Sequence, residues 1–157
     1  MTTKRVADSL TTHVQILMPV DLNGKERLFG GQLMRWIDVV AAVTARRHAG
    51  TEVTTAAVDR LEFHAPAHVN DTLVLEGRIT HVGRTSMEVR VDTYAESLSG
   101  LRIHINRAYL VMVALDTSTH LPTPVPGLIV ETEEEKIEWE AGKRRKALRK
   151  TRTQENY

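Results

Sequence analysis

The chain has 157 residues, no cysteine, and 21 Lys and Arg against 20 Asp and Glu, for a formal net charge of +1. That length suits one domain with a real core, and the near-neutral charge removes bulk attraction as an argument for nucleic-acid binding. Without cysteine there are no disulfides, thiolate nucleophiles, iron–sulfur ligands or common structural zinc patterns.

Met1 to Thr12 is polar, without the apolar centre of an export signal, and is expected to be loosely held. No run of about 18 apolar residues reads as a membrane span, so a cytoplasmic location is expected. His13 to Met18 reads as a short strand stopped by Pro19, and Asp21-Leu22-Asn23-Gly24 carries turn chemistry. Gly31 to His48 reads as a helix, apolar nearly all round, ended by Gly50 with Arg46, Arg47 and His48 in its last turn. Such a helix is expected to be wrapped by other structure.

Strands follow. Thr51 to Phe63 alternates, Thr72 to Ser97 reads as a long hairpin broken at Gly83-Arg84, and Arg102 to Asp116 is apolar on both faces at its centre. Leu121 to Gly127 holds three prolines and reads as extended loop; Glu131 to Lys150 reads as a charged peripheral helix. The order predicts an α+β fold, a curved antiparallel sheet around one helix, with residues 1–157 as a single domain and its core at about 12–128. A second copy is expected to seal the other sheet face or its edges, making at least a dimer.

Asp38 interrupts the most apolar stretch of the helix. A carboxylate there either turns to solvent, pairing with Arg35 at i,i+3, or has a task. Gly30 and Gly31 allow a substrate close to backbone N–H groups at the helix start, where the dipole favours negative charge. Donors for an oxyanion plus a nearby carboxylate suit carbonyl chemistry. The seven histidines show no paired metal spacing, and no metal site is expected. No G-x-S-x-G elbow or P-loop is present.

Pro19-Val20-Asp21-Leu22-Asn23, then Phe29-Gly30-Gly31, then Asp38, resembles the hotdog-fold acyl-CoA thioesterase (acyl-CoA hydrolase) family. Val58 to Phe63 with Pro66 and Asp71, Val82-Gly83-Arg84-Thr85-Ser86-Met87, and Ala108 to Asp116 before Pro122 to Pro126 follow in the family's order. The resemblance implies a hotdog dimer, often built into a trimer of dimers, that hydrolyses fatty acyl-CoA to coenzyme A and a fatty acid. It implies catalysis by Asn23 and Asp38 across two subunits, Gly30 and Gly31 at the helix start, and Thr85 and Ser86 near coenzyme A. Arg84 beside them reads either as a contact for coenzyme A phosphates or as a solvated hairpin arginine. Asp38 is expected either to activate water or to attack directly. No cofactor is expected beyond the coenzyme A of substrate and product. Alternatives are a hotdog protein that binds acyl-CoA without turnover, and a hydroxyacyl thioester dehydratase; the latter wants a histidine where Phe29 stands. Glu26 occupies a place where relatives carry glycine, so the loop before the helix is expected to be shaped differently. The basic run Lys143 to Lys146 reads either as a solvated face or as an aid to anion attraction.

Overall fold

The computed structural model describes Thr2 to Asn156. In chain order the elements are β1 (Thr3–Arg5), β2 (Thr11–Ile16), α1 (Gly30–Ala49), β3 (Glu52–Phe63), β4 (Thr72–Val82), β5 (Ser86–Glu96), β6 (Arg102–Leu115), β7 (Gly127–Ile129) and α2 (Glu133–Gln154). Strands β2, β4, β5, β6 and β3 form one antiparallel sheet in that spatial order.

Helix α1 lies on one face of this sheet. Its stripe of Leu33, Ile37, Val40, Ala41, Thr44, Ala45 and His48 is buried at the spacing of one helical face. Leu73, Leu75, Val91, Ala108 and Met112 complete the core. Contact is close at Gly77: a Cβ there would lie 2.6 Å from Thr44 Oγ1 and 2.8 Å from Val40 Cγ1. Gly50, at φ +70°, ends the helix in the left-handed conformation that glycine takes most cheaply. This is the α+β arrangement expected from the sequence. The helix is not wrapped all round, however. Val39 is 55% exposed, Arg35 is exposed, and Met34 and Trp36 are half-buried, because one sheet covers only one stripe.

The start of the chain corrects another expectation. β1 pairs in parallel with β7, Val6 is buried, and Lys4 Nζ donates to the Arg47 carbonyl at the C-terminus of α1. Arg47 in turn donates to the carbonyl of Leu10. The described part of Met1 to Thr12 is therefore docked, held by the helix end whose carbonyls seek cations. The proline-rich loop likewise delivers β7 rather than only a connection.

The opposite sheet face carries α2, which starts on a capping box: Thr132 Oγ1 accepts from the Glu135 amide, and Glu135 Oε2 accepts from that of Thr132. Ion pairs run along the helix from Arg78–Glu134 (3.4 Å) and Arg90–Glu138 (3.1 Å) to Arg145–Glu88 (2.7 Å) and Arg149–Asp59 (2.8 Å). Gly142 lets the helix sit over His81, whose Cβ would be 2.7 Å from an added methyl. Trp139 lies against the same imidazole, 4.3 Å between centroids. Arg145 belongs to the basic run read from the sequence, and its charge is spent on a buried glutamate rather than free at the surface.

Two buried histidines set a pH response. His48 Nε2 lies 2.8 Å from the Pro126 carbonyl, which can only accept, so the neutral ring carries its proton on Nε2. Burial pushes the His48 and His81 imidazoles below their ordinary value. Below about pH 6.5 the unfolded chain takes up protons that the folded chain resists, so stability falls as pH falls. We expect the urea midpoint to drop from pH 7.5 to 5.5, and the drop to shrink in His48→Gln, which keeps a donor for Pro126. Equal midpoints at both pH values would contradict this.

Candidate active site

The segment before α1 is a small closed loop. Leu22 bridges Leu28, and the Asn23 amide donates to the Arg27 carbonyl at 2.7 Å. Asp21, 3% exposed, fastens the loop to the helix: its carboxylate accepts from the Met18 amide (2.9 Å) and from Gln32 Nε2 (2.8 Å), and its carbonyl accepts from the Phe29 amide (2.8 Å). Asn23 Oδ1 accepts from the amides of Lys25 (2.8 Å) and Arg27 (3.3 Å), which leaves the Nδ2 donors of this exposed side chain for a ligand.

Helix hydrogen bonding begins with the Gln32 and Leu33 amides on the Phe29 carbonyl. The amides of Gly30 and Gly31 donate to no described residue. The Phe29 ring covers Gly31, where an added Cβ would fall 2.6 Å from it, and Phe63 stands 3.6 Å from the same position on Gly30. Phe63 and Asn23 also line one cleft of about 340 Å³. Asn23 and the helix start thus belong to one end of the molecule.

Asp38 lies further along α1, half-buried, and its hydrogen-bond partner is Thr55 on β3 rather than Arg35. Thr55 Oγ1 donates to Asp38 Oδ1 at 2.6 Å; Met112 Sδ, at 3.4 Å, is the weaker acceptor for its single proton. Asp38 Oδ2 accepts from no described residue. A register shift between Thr55 and Ala57 sits beside this contact, as bulges often do where a side chain must be re-aimed.

Arg84, Thr85 and Ser86 form the β4–β5 hairpin; Arg84 is exposed and the other two are half-buried. The Ala114 amide donates to the Thr85 carbonyl and the Val125 amide to that of Arg84, each at 2.9 Å. Ser86 pairs with Val113 and Val113 with Thr54, so the hairpin lies about 10 Å across the sheet from the Asp38–Thr55 contact.

One protomer therefore brings Asp38, Thr55 and the hairpin to one end, and Asn23 with Gly30 and Gly31 to the other. Thr55 and Phe63 are eight residues apart on β3, about 25 Å of strand. Gly30 and Asp38 are about 12 Å apart along α1. The sequence reading missed Thr55 and Asp21. The signal for Asp21 was its place before a helix that has no side-chain cap of its own. Among the described residues no group of three metal-ligating side chains occurs, and no helix is long and apolar enough to cross a membrane.

A profile of the thioesterase superfamily matches residues 26–99. An uncharacterized acyl-CoA thioester hydrolase of Bacillus subtilis, YkhA, is 40% identical over 85% of this chain and 77% of its own. An apo-hexameric acyl-CoA thioesterase superposes with a TM-score of 0.93 at 41% identity, covering 98% of both chains. The acyl-CoA hydrolase of Staphylococcus aureus, solved with butyryl coenzyme A, coenzyme A and coenzyme A disulfide, gives 0.92 at 33% identity over 98% of this chain and 94% of that one. It has also been solved as alanine variants of an aspartate, an asparagine and a threonine. The chain belongs to the acyl-CoA thioester hydrolase family, a hotdog-fold branch of the thioesterase superfamily.

Glu26 stands at the tip of the loop before α1. The loop is closed by the Asn23–Arg27 hydrogen bond, and Glu26 itself takes the left-handed conformation at φ +59°. A side chain there costs about 1–2 kcal/mol, while glycine adds back about 0.4–1 kcal/mol of unfolded-state freedom. Glu26→Gly is therefore expected to raise the thermal midpoint slightly with turnover unchanged. A lower midpoint would contradict strain at this tip.

Proposed function

We propose that the chain hydrolyses acyl-CoA thioesters to coenzyme A and a fatty acid at sites shared by two protomers. Each site takes Asp38 and Thr55 from one subunit and Asn23 with the Gly30 and Gly31 amides from the other. The observation that carries this reading is the Asp38–Thr55 contact: the hydroxyl fixes Oδ1 and leaves Oδ2 for a water molecule. Support also comes from spacing. Asn23 precedes Asp38 by 15 residues and Asp38 precedes Thr55 by 17, and the three positions varied in the Staphylococcus aureus hydrolase have the same two spacings.

In this mechanism water donates a proton to Asp38 as its oxygen adds to the thioester carbon. The developing oxyanion meets the free amides at the start of the partner's α1 and the side-chain Nδ2 of Asn23. The tetrahedral intermediate then breaks its C–S bond, and the thiolate takes the proton back from Asp38. A thiol with an ordinary pKa near about 8.5 leaves readily, so donors and an aimed water suffice. Direct attack by Asp38, forming an anhydride that water then opens, uses the same residues. No cofactor takes part beyond the coenzyme A of the substrate. Arg84, Thr85 and Ser86 are the groups of this chain placed to meet the coenzyme A moiety, with Arg84 matched to its phosphates.

The dimer is read from the open edge. β3 has 12 residues, most of them exposed, at the end of the sheet, and an unpaired edge of that length invites a second copy. Assembly as a trimer of dimers is part of the same reading, supported by the hexameric relative. So is a cytoplasmic place in fatty-acid metabolism.

Asp38→Asn is expected to lower kcat by at least about a hundredfold with folding intact. Thr55→Val removes a hydrogen bond to a charged group, worth about 1.5–3 kcal/mol, and is expected to cost roughly 10- to 150-fold in kcat with little change in KM. Thr55→Ser should restore most of it. Release of thiol from butyryl-CoA, followed colorimetrically, reads all three, and near-normal turnover of Asp38→Asn would remove Asp38 from the mechanism.

A further inference from the structure

An open cavity lies on the sheet face opposite Asp38. It has a volume of about 490 Å³ and is lined by Arg60, Glu62, His64, His104, Arg107, Tyr109 and Arg145. The face follows from register: Arg60, Tyr109 and Arg90 pair across β3, β6 and β5, alternating with Leu61, Ala108 and Val91, which belong to the core around α1. Neither Asp38 nor Asn23 touches this cavity.

Its arginines are held from beneath. Asp92, whose side chain is 3% exposed, accepts from Arg107 Nε (2.7 Å), Arg90 Nε (2.7 Å) and His104 Nε2 (2.9 Å). Burial works to raise the Asp92 carboxyl, but the bonds from Arg107, Arg90 and His104 outweigh it and hold it below the usual carboxylate range. Glu88, 2% exposed, takes Nε and Nη2 of Arg145, whose guanidinium carbon also lies over the Tyr109 ring, 3.8 Å from its centroid. Arg60 gives Nε and Nη2 to Glu62. Each of the three lining arginines keeps N–H groups that no described residue takes: both Nη atoms of Arg107, and Nη1 of Arg60 and of Arg145. Buried carboxylates thus fix Arg107 and Arg145, while Arg60 pairs with the exposed Glu62. All three guanidinium heads keep uncommitted donors, and the lining has three arginines against one glutamate.

We propose that this cavity binds a phosphate-bearing small anion at a site distinct from the thioester site. Guanidinium forks match phosphate oxygens in pairs, and three of them around one cavity suit an anion with several oxygens better than a lone carboxylate. The volume falls within the usual range for small-ligand pockets. His64 and His104 stack at 5.1 Å beside the arginines, a flat surface on which a nucleotide's ring could rest. The ligand's source is thus inorganic phosphate or pyrophosphate, a free nucleotide, or the nucleotide end of coenzyme A.

Calorimetric titration of the full assembled protein with pyrophosphate, ADP and coenzyme A tests this. The variants are the Arg60→Ala, Arg107→Gln pair and, separately, His64→Ala and Arg84→Ala. Arg90 and His104 continue to satisfy Asp92 in the pair, and an unchanged melting curve checks that it folds. Pyrophosphate is expected to bind, and the pair to weaken it at least about tenfold with acyl-CoA turnover essentially unchanged. ADP binding tighter than that of pyrophosphate and weakened by His64→Ala assigns the site to nucleotides; equal binding assigns it to the phosphate alone. The proposal is overturned if no probe binds, if binding survives the arginine pair, or if coenzyme A alone binds and Arg84→Ala abolishes it.

Discussion

Eight residues of helix separate Gly30 from Asp38, a rise of about 12 Å, and a short aspartate side chain cannot close that distance. The separation is rigid because α1 is locked along its length: Leu33, Ile37, Val40 and Ala41 are buried, and Gly77 admits the helix backbone close to the sheet. At its start Asp21 fixes Gln32 and the Asn23 loop, and midway Thr55 fixes Asp38. Asp38 and the free amides of Gly30 and Gly31 are therefore each fixed in place, yet held apart within one chain. Chemistry that needs both at one carbonyl calls for a second copy turned end for end. The proposed pairing of two copies would also cover Val39, exposed beside Asp38, and β3, a long strand that stands open at the sheet edge.

The two sheet faces divide the work. On the α1 face the sheet supplies apolar packing and one hydroxyl, Thr55. On the other, pairs from Arg78–Glu134 to Arg149–Asp59 tie α2 to three strands, β4, β5 and β3. Buried pairs of this kind are weak as net stabilisers but costly to break singly, so they specify where α2 lies more than how tightly. Part of that charged face stays uncovered, and there the arginines keep unused donors.

Much of the architecture was legible because it is local. The glycine pair, the stripe of α1, the alternation of β4 and β5 and the capping residues of α2 all act over a few positions. Asp38 stood out because a carboxylate interrupts an apolar run, and the order of motifs gave the family. What was not legible depends on distant partners. Thr3 to Arg5 looks like a loose polar start until β7, more than 120 residues away, pairs with it. Thr55 looks like an ordinary strand threonine until the bulge beside it and the packing of α1 bring it to Asp38. Arg145 and Arg149 look solvated until Glu88 and Asp59 are found beneath them. Glu26 reads from sequence only as a residue for which the left-handed conformation is costly; the hydrogen bonds to Asn23 that close the loop around it come into view with the fold.

Mixing subunits tests the central claim most directly. Dimers re-formed from Asn23→Ala and Asp38→Ala chains, each inactive alone, should contain one complete site in every mixed pair, giving about a quarter of wild-type activity after random re-assortment. Mixed dimers that form, as mass spectrometry would show, yet release no thiol from acyl-CoA would contradict a site shared between protomers.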